Sequence, residues 1–275
     1  MIHTEKFQGH GAAILCLDVS SQNSSVSLPS STSTLLLSGS EDGTARLWDL
    51  RDHRRRACLC IKVPGGGDVL SAVFAPPSPS TATLPNETAS AFSKNCSVFL
   101  GVENAVLEYD LRHVESPIVF SEPTRDWGKV LQNQDEVNQI GLAYYSKPSN
   151  NSGGGGNKKK KNQKKKGGGG NKKRQTSTDG DSGVSLYLAS CDDAGKARWT
   201  EAFQTNPSSG ELGSNYENST ISSTILHHDN HGVAVVPACA FRPIDASTTR
   251  GGPSLEFATG GTDCKIQLWD VFRPK

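Results

Sequence analysis

The stretch LSGSEDGTARLWDLR, Leu37 to Arg51, reads as strand, tight polar turn, strand. Leu35–Ser38 is apolar and small, Glu41-Asp42-Gly43 is a turn signal, and Thr44–Leu50 carries β-formers up to Trp48-Asp49. The same outline returns as FATGGTDCKIQLWDV at Phe257–Val271, and in blurred form at Phe99–Arg112 and Leu188–Glu201. A two-strand unit ending in an aromatic residue and Asp cannot bury both of its faces alone. Four of them must stack on one another.

Read outward from that unit, the chain falls into four repeats. The first runs from His10 to about Leu50, with an inner strand at Ile14–Val19 after a short strand expected at Ile2–Phe7. Ala57–Val63 is the next strand, and Val69–Phe74, Ser97–Gly101 and Ala105–Leu111 make the second repeat. The third takes Pro117–Phe120 as an outer strand, then Val137–Tyr145, Leu186–Ser190 and Lys196–Thr200. With Gly195 set on Gly43 and Arg198 on Arg46, Thr200 falls at the Trp48 position and Glu201 at Asp49, so this repeat is degenerate. The fourth takes Ile221–Leu226 as outer strand, then Val233–Phe241, Leu255–Gly260 and Lys265–Val271. The long insertions at 20–34, 75–94, 147–183 and 244–253 all fall between the first and second inner strands of a repeat. Lengthening a loop from four to about 37 residues costs only roughly 2 kcal/mol.

Composition agrees with many short strands and polar loops: 34% of the chain is hydrophobic and 28 residues are glycine. The net charge of +1 hides a split. Lys158, Lys159, Lys160, Lys161, Lys164, Lys165, Lys166, Lys172, Lys173 and Arg174 form a tract without an acid. Taking those ten from 29 basic residues leaves 19 against 28 acidic ones, about −9 for the body. Like charges repel and nothing apolar offsets the ordering entropy, so the Gly/Lys-rich insertion 147–183 is expected to be disordered. No run reaches the 18 apolar residues of a membrane span. Seven cysteines, odd in number and mostly in apolar strand contexts, read as buried free thiols of a reducing compartment, with the chain expected in the cytoplasm, the nucleus or both.

Repeating strand units of this kind are the signature of an all-β propeller, and Leu47-Trp48-Asp49-Leu50 with the upstream Gly9-His10 resembles the WD-repeat family. The resemblance implies a single domain over 1–275, a WD-repeat β-propeller with four recognisable repeats, partial or open relative to a seven-blade parent. It also implies a buried relay of Trp, Ser or Thr, His and Asp within a repeat. His10, Ser38, Asp42 and Trp48 supply it in repeat one. His231, Thr259, Asp263 and Trp269 supply it in repeat four, with Asn230 and Cys264 where glycines are usual. Their spacing imitates a Ser-His-Asp nucleophile set, but the family uses such a relay structurally, and no catalytic residue is expected. The adjacent His227 and His228 point to opposite faces of a strand, which suits ligation poorly, so neither metal nor cofactor is expected.

Asp49 and Arg51, echoed by Asp110 and Arg112, end two successive repeats in the pattern Asp-x-Arg. With Trp48 ahead of it, the first resembles the motif by which WD-repeat substrate receptors dock on the damaged-DNA-binding adaptor of cullin-4 ubiquitin ligases. A planar guanidinium suits that contact. The function expected is a non-enzymatic interaction scaffold, with a nuclear or nucleolar ribosome-assembly or nucleic-acid-associated scaffold as the alternative. In that alternative the lysine tract makes nonspecific polyanion contacts, and without an aromatic it lacks a base-stacking platform.

Overall fold

Gly43 closes the hairpin turn in the left-handed region, with φ of 71°, a conformation glycine adopts without steric cost. The turn joins β2 (Leu35–Ser40) to β3 (Thr44–Asp49), which pair antiparallel with Ser38 opposite Arg46 and Leu36 opposite Trp48. β1 (Ile14–Val19) flanks β2 and β4 (Leu59–Lys62) flanks β3, so the first sheet runs in chain order. The computed structural model describes residues 6–20, 35–52, 54–76, 97–111, 122–146, 184–205, 224–227, 235–244 and 254–272.

The plan recurs three times. The second sheet is β5 (Val69–Phe74), β6 (Ser97–Val102), β7 (Ala105–Asp110) and β8 (Arg125–Asp126), and one helical turn, α1 (Gly128–Leu131), leads out of it. The third is β9 (Val137–Ser146), β10 (Val184–Asp192), β11 (Lys196–Thr205) and β12 (Thr224–His227). The fourth has three strands among the described residues: β13 (Ala238–Ile244), β14 (Ser254–Gly260) and β15 (Ile266–Asp270). Sheets of a nearly all-β chain stacked in this way form a β-propeller type of architecture.

Consecutive sheets pack face to face in three apolar joints among the described residues. Leu37, Ala45 and Leu47 of the first sheet meet Val98, Leu100, Leu107 and Tyr109 of the second. Phe99, Val106 and Trp127 of the second meet Ile140, Leu186 and Leu188 of the third, and Tyr187, Ala189 and Trp199 of the third meet Leu255, Phe257 and Trp269 of the fourth. The middle sheets are therefore covered on both faces, and β6 and β7 are buried along nearly their whole length rather than in alternation. Close stacking leaves no room at Gly39, where a Cβ would lie 2.6 Å from both Cys16 Sγ and Val69 Cγ1.

Several sequence expectations change. The outer strand of the second sheet includes Arg125–Asp126, a two-residue polar strand with no apolar signature, while Pro117–Phe120 lies outside the described residues. The strand expected to open repeat four pairs instead with β11 as the outer edge of the third sheet, because each sheet is offset by one strand from the repeating unit of sequence. Lys6 and Phe7 are not in a strand; Phe7 stands edge-on to Trp48, ring centroids 5.8 Å apart. The cysteines are less buried than their strand contexts suggest. Cys191 and Cys239 are buried, Cys16 and Cys60 are half-buried, Cys58 and Cys264 are exposed, and Cys96 lies outside the described residues.

Candidate functional site

The Glu41–Gly43 turn brings Asp42 back beside the segment that precedes β1. His10 Nδ1–H donates to Asp42 Oδ2 at 2.9 Å, His10 Nε2 lies 2.7 Å from Ser38 Oγ, and Trp48 Nε1–H donates to Ser38 Oγ at 2.9 Å. A neutral imidazole satisfies every partner at once: indole to hydroxyl, hydroxyl to Nε2, Nδ1 to carboxylate. The Gly11 amide adds a hydrogen bond to Asp42 Oδ2 at 2.8 Å, and Thr44 gives its amide and its hydroxyl to Oδ1 at 3.0 and 2.5 Å. Burial alone raises the Asp42 pKa, but the donors from Thr44, Gly11 and His10 outweigh it and hold the carboxyl well below the usual carboxylate range. Ser38 is 1% exposed beneath the indole, so its hydroxyl is a link in the relay and out of a substrate's reach.

The other sheets vary the theme. In the fourth, Trp269 Nε1–H donates to Thr259 Oγ1 at 3.1 Å, matching Trp48 and Ser38 in register. Asp263 accepts the Lys265 amide at 3.2 Å, and Cys264 takes the left-handed place of Gly43 with φ of 63°. His231 lies outside the described residues. In the second sheet the equivalent of Ser38 is Leu100 and that of Trp48 is Tyr109, which burial pushes up to about 12. The relay is replaced there by apolar packing, and a separate buried bond runs from Trp127 Nε1–H to Glu108 Oε2 at 3.1 Å on the opposite face.

The third sheet holds a cluster that the repeat pattern did not reveal. Arg198 Nη1 donates to Asp192 Oδ2 at 2.5 Å and to Asn133 Oδ1 at 3.3 Å, and Ser190 Oγ–H donates to Asn133 Oδ1 at 2.8 Å. Asp192 also accepts the Lys196 amide at 2.9 Å and the Gln134 amide at 3.2 Å. Asn133-Gln134 thus stand where His10-Gly11 stand in the first sheet. The carboxylate comes from two residues before the turn position, at the place of Ser40. That shift hides it from an alignment on the turn. The available signal was an Asp and an Arg six residues apart on one face of a hairpin whose strands read as buried.

At the other rim, β3 ends on Asp49, whose carboxylate grips Arg51 through Nε at 3.2 Å and Nη2 at 3.1 Å. The side-chain hydrogen bonds and backbone amide of Arg51 lower the Asp49 pKa. The Arg51 side chain remains 53% exposed, and Arg54, Arg55 and Arg56 follow it, all exposed. Asp110 ends β7 at the register place of Asp49, opposite Ser97 as Asp49 is opposite Leu35. It is more buried, and its amide donates to Thr124 Oγ1 at 2.9 Å. Arg112 and the basic tract from Lys158 to Arg174 lie outside the described residues.

No curated protein matches the chain. Residues 2–49 match the family model described as WD domain, G-beta repeat, a span that contains β1, β2, β3 and the whole relay of the first sheet. The match and the four stacked sheets together support a WD-repeat β-propeller.

Proposed function

We propose that the chain is a non-enzymatic protein-interaction scaffold whose strand-end rim docks on the damaged-DNA-binding adaptor of cullin-4 ubiquitin ligases, as a substrate receptor. The observation that carries this reading is the Asp49–Arg51 pair. The carboxylate holds the guanidinium at the strand end, so the side chain is oriented and still largely open to solvent. An ordered arginine loses less freedom on binding, and its fork suits carboxylate or carbonyl acceptors on a partner. Arg54, Arg55 and Arg56 make the same rim basic, which favours an acidic partner surface.

The order of repeats gives further support. A second repeat without Trp ending Asp110-Leu111-Arg112, a degenerate third ending and Phe241-Arg242-Pro243 resemble WD repeat-containing protein 53. The role proposed for that protein is adaptor docking. The hydroxyl, imidazole and carboxylate of the first sheet are consumed by the relay, which fits a scaffold.

Co-precipitation of wild-type and Arg51→Ala chains with the adaptor, at matched expression, tests the proposal. Recovery of the wild type and loss of the variant supports docking; equal recovery of both, or of neither, removes it.

A further inference from the structure

One register position carries glycine in three of the four sheets. Gly39 lies opposite Ala45, Gly101 opposite Val106 and Gly260 opposite Ile266, whereas the third sheet has Cys191 there, opposite Ala197. In the first two joints this position marks a close crossing between sheets. A Cβ at Gly39 would lie 2.6 Å from Val69 Cγ1 of β5, and one at Gly101 would lie 3.0 Å from Val137 Cγ1 of β9. Both neighbours belong to the first strand of the next sheet. Cys191 is fully buried in the third joint, in one apolar cluster with Cys239 of β13, the first described strand of the fourth sheet.

The two thiols converge on one acceptor. Cys191 Sγ–H and Cys239 Sγ–H each donate to the Gln139 carbonyl oxygen of β9 at 3.7 Å. Gln139 lies opposite Cys191 in the ladder, and its side-chain oxygen takes the Cys239 amide at 3.1 Å, so a single residue fixes both cysteines. A hydrogen bond to the Cys191 thiol, with burial adding to it, pushes the Cys239 pKa well above that of an ordinary thiol. Both thiols are free, and S–H groups are weak donors that gain little from sharing one carbonyl.

We infer that Cys191 and Cys239 form a site of two-electron oxidation, closing to a disulfide that ties the third sheet to the fourth. A disulfide needs closely spaced backbones, and this register position is where neighbouring sheets crowd in the first two joints. With hydrogen peroxide as oxidant, one thiolate sulfur attacks a peroxide oxygen, the O–O bond breaks, and the departing hydroxide takes up the thiol proton as water. The second thiol displaces the hydroxyl of the resulting sulfenic acid, forming the S–S bond and releasing a second water. The two sulfurs give up two electrons and the peroxide accepts them. The product is neutral and has no donor to satisfy, which suits an apolar joint. Burial makes the step slow, because the thiolate is the nucleophile.

Prolonged treatment of the reduced full chain with hydrogen peroxide, under native conditions, tests this. After alkylation of the remaining thiols and digestion with trypsin, mass spectrometry should find the peptide from Gln175 to Lys196 joined to the peptide from Trp199 to Arg242, each of which holds one cysteine. Reduction should separate them. The oxidised chain should melt several degrees above the reduced one, since the crosslink constrains the unfolded state. Cys239→Ala should abolish both the joined peptide and the shift. Cys58→Ser combined with Cys264→Ser removes the exposed thiols and should leave both unchanged. Cys191 and Cys239 recovered as free thiols, either of them paired with another cysteine, or joined peptides without a higher melting temperature would overturn the inference.

Discussion

Arg198 lies against Asp192 with 2.5 Å between their charged atoms, both buried, at the register place where Arg46 of the first sheet is partly exposed and 3.9 Å from Asp42. The same hairpin position thus serves as a loose surface pair in one repeat and as a core element in another. Burial of the pair follows from the second sheet, which covers that face of the third. The first sheet has no described sheet on the corresponding face, only the segment carrying Phe7 and His10.

Arg198→Met should be strongly destabilising, by about 3–5 kcal/mol, because it leaves the Asp192 carboxylate buried without its cation. Adding Asp192→Asn should recover part of the loss. Urea denaturation of the single and double variants checks both statements, and a double variant no more stable than the single would remove the pair as the cause.

Trp48→Phe keeps the ring but deletes the indole donor to Ser38. A loss on the order of 1–3 kcal/mol is expected, the cost of a buried hydroxyl short of a partner. Thermal unfolding by circular dichroism measures it, and an unchanged midpoint contradicts the relay.

The relay also predicts acid sensitivity. The folded Asp42 carboxyl titrates below its unfolded value of about 3.9, so its contribution is fully present above that pH. It is lost as pH falls toward the folded pKa, because the unfolded chain binds the proton more readily. The stability difference between wild type and Asp42→Asn should shrink as pH drops from about 5 toward the folded pKa. A difference that grew on acidification would reverse the sign and contradict the geometry.

Gly39→Ala places a Cβ 2.6 Å from Cys16 Sγ and from Val69 Cγ1, and 2.8 Å from the Val69 carbonyl. Strand backbone cannot swing away as a flexible side chain can, so a loss of roughly 1–3 kcal/mol is expected. Chemical denaturation checks it, with Gly260→Ala as control, where the nearest atom would be 3.9 Å away.

Legibility in the sequence followed the reach of each interaction. The strands β2, β3, β6, β7 and β14 were readable because β-formers and a polar turn lie within about fifteen residues. The placement of Thr200 opposite Leu188, where Trp48 lies opposite Leu36, follows from spacing around Gly195 alone. β8 escaped notice because its two polar residues are held by pairing with Leu107 and Glu108, a contact no local pattern announces. The Asn133 cluster was invisible for the same reason. Its members come from three segments, and Asn133 reaches Arg198 across 65 positions of sequence. Degenerate in motif, the third repeat still fills its joint with a polar substitute.

The docking claim rests on Arg51, whose variant should fold normally because the side chain is largely exposed at a strand end. Titration calorimetry of the purified adaptor into wild-type and Arg51→Ala chains measures it most directly. A buried charge-assisted contact is worth roughly 1.5–3 kcal/mol, so the variant should bind about ten- to a hundredfold more weakly at an unchanged melting temperature. Equal affinity for both chains would contradict the account.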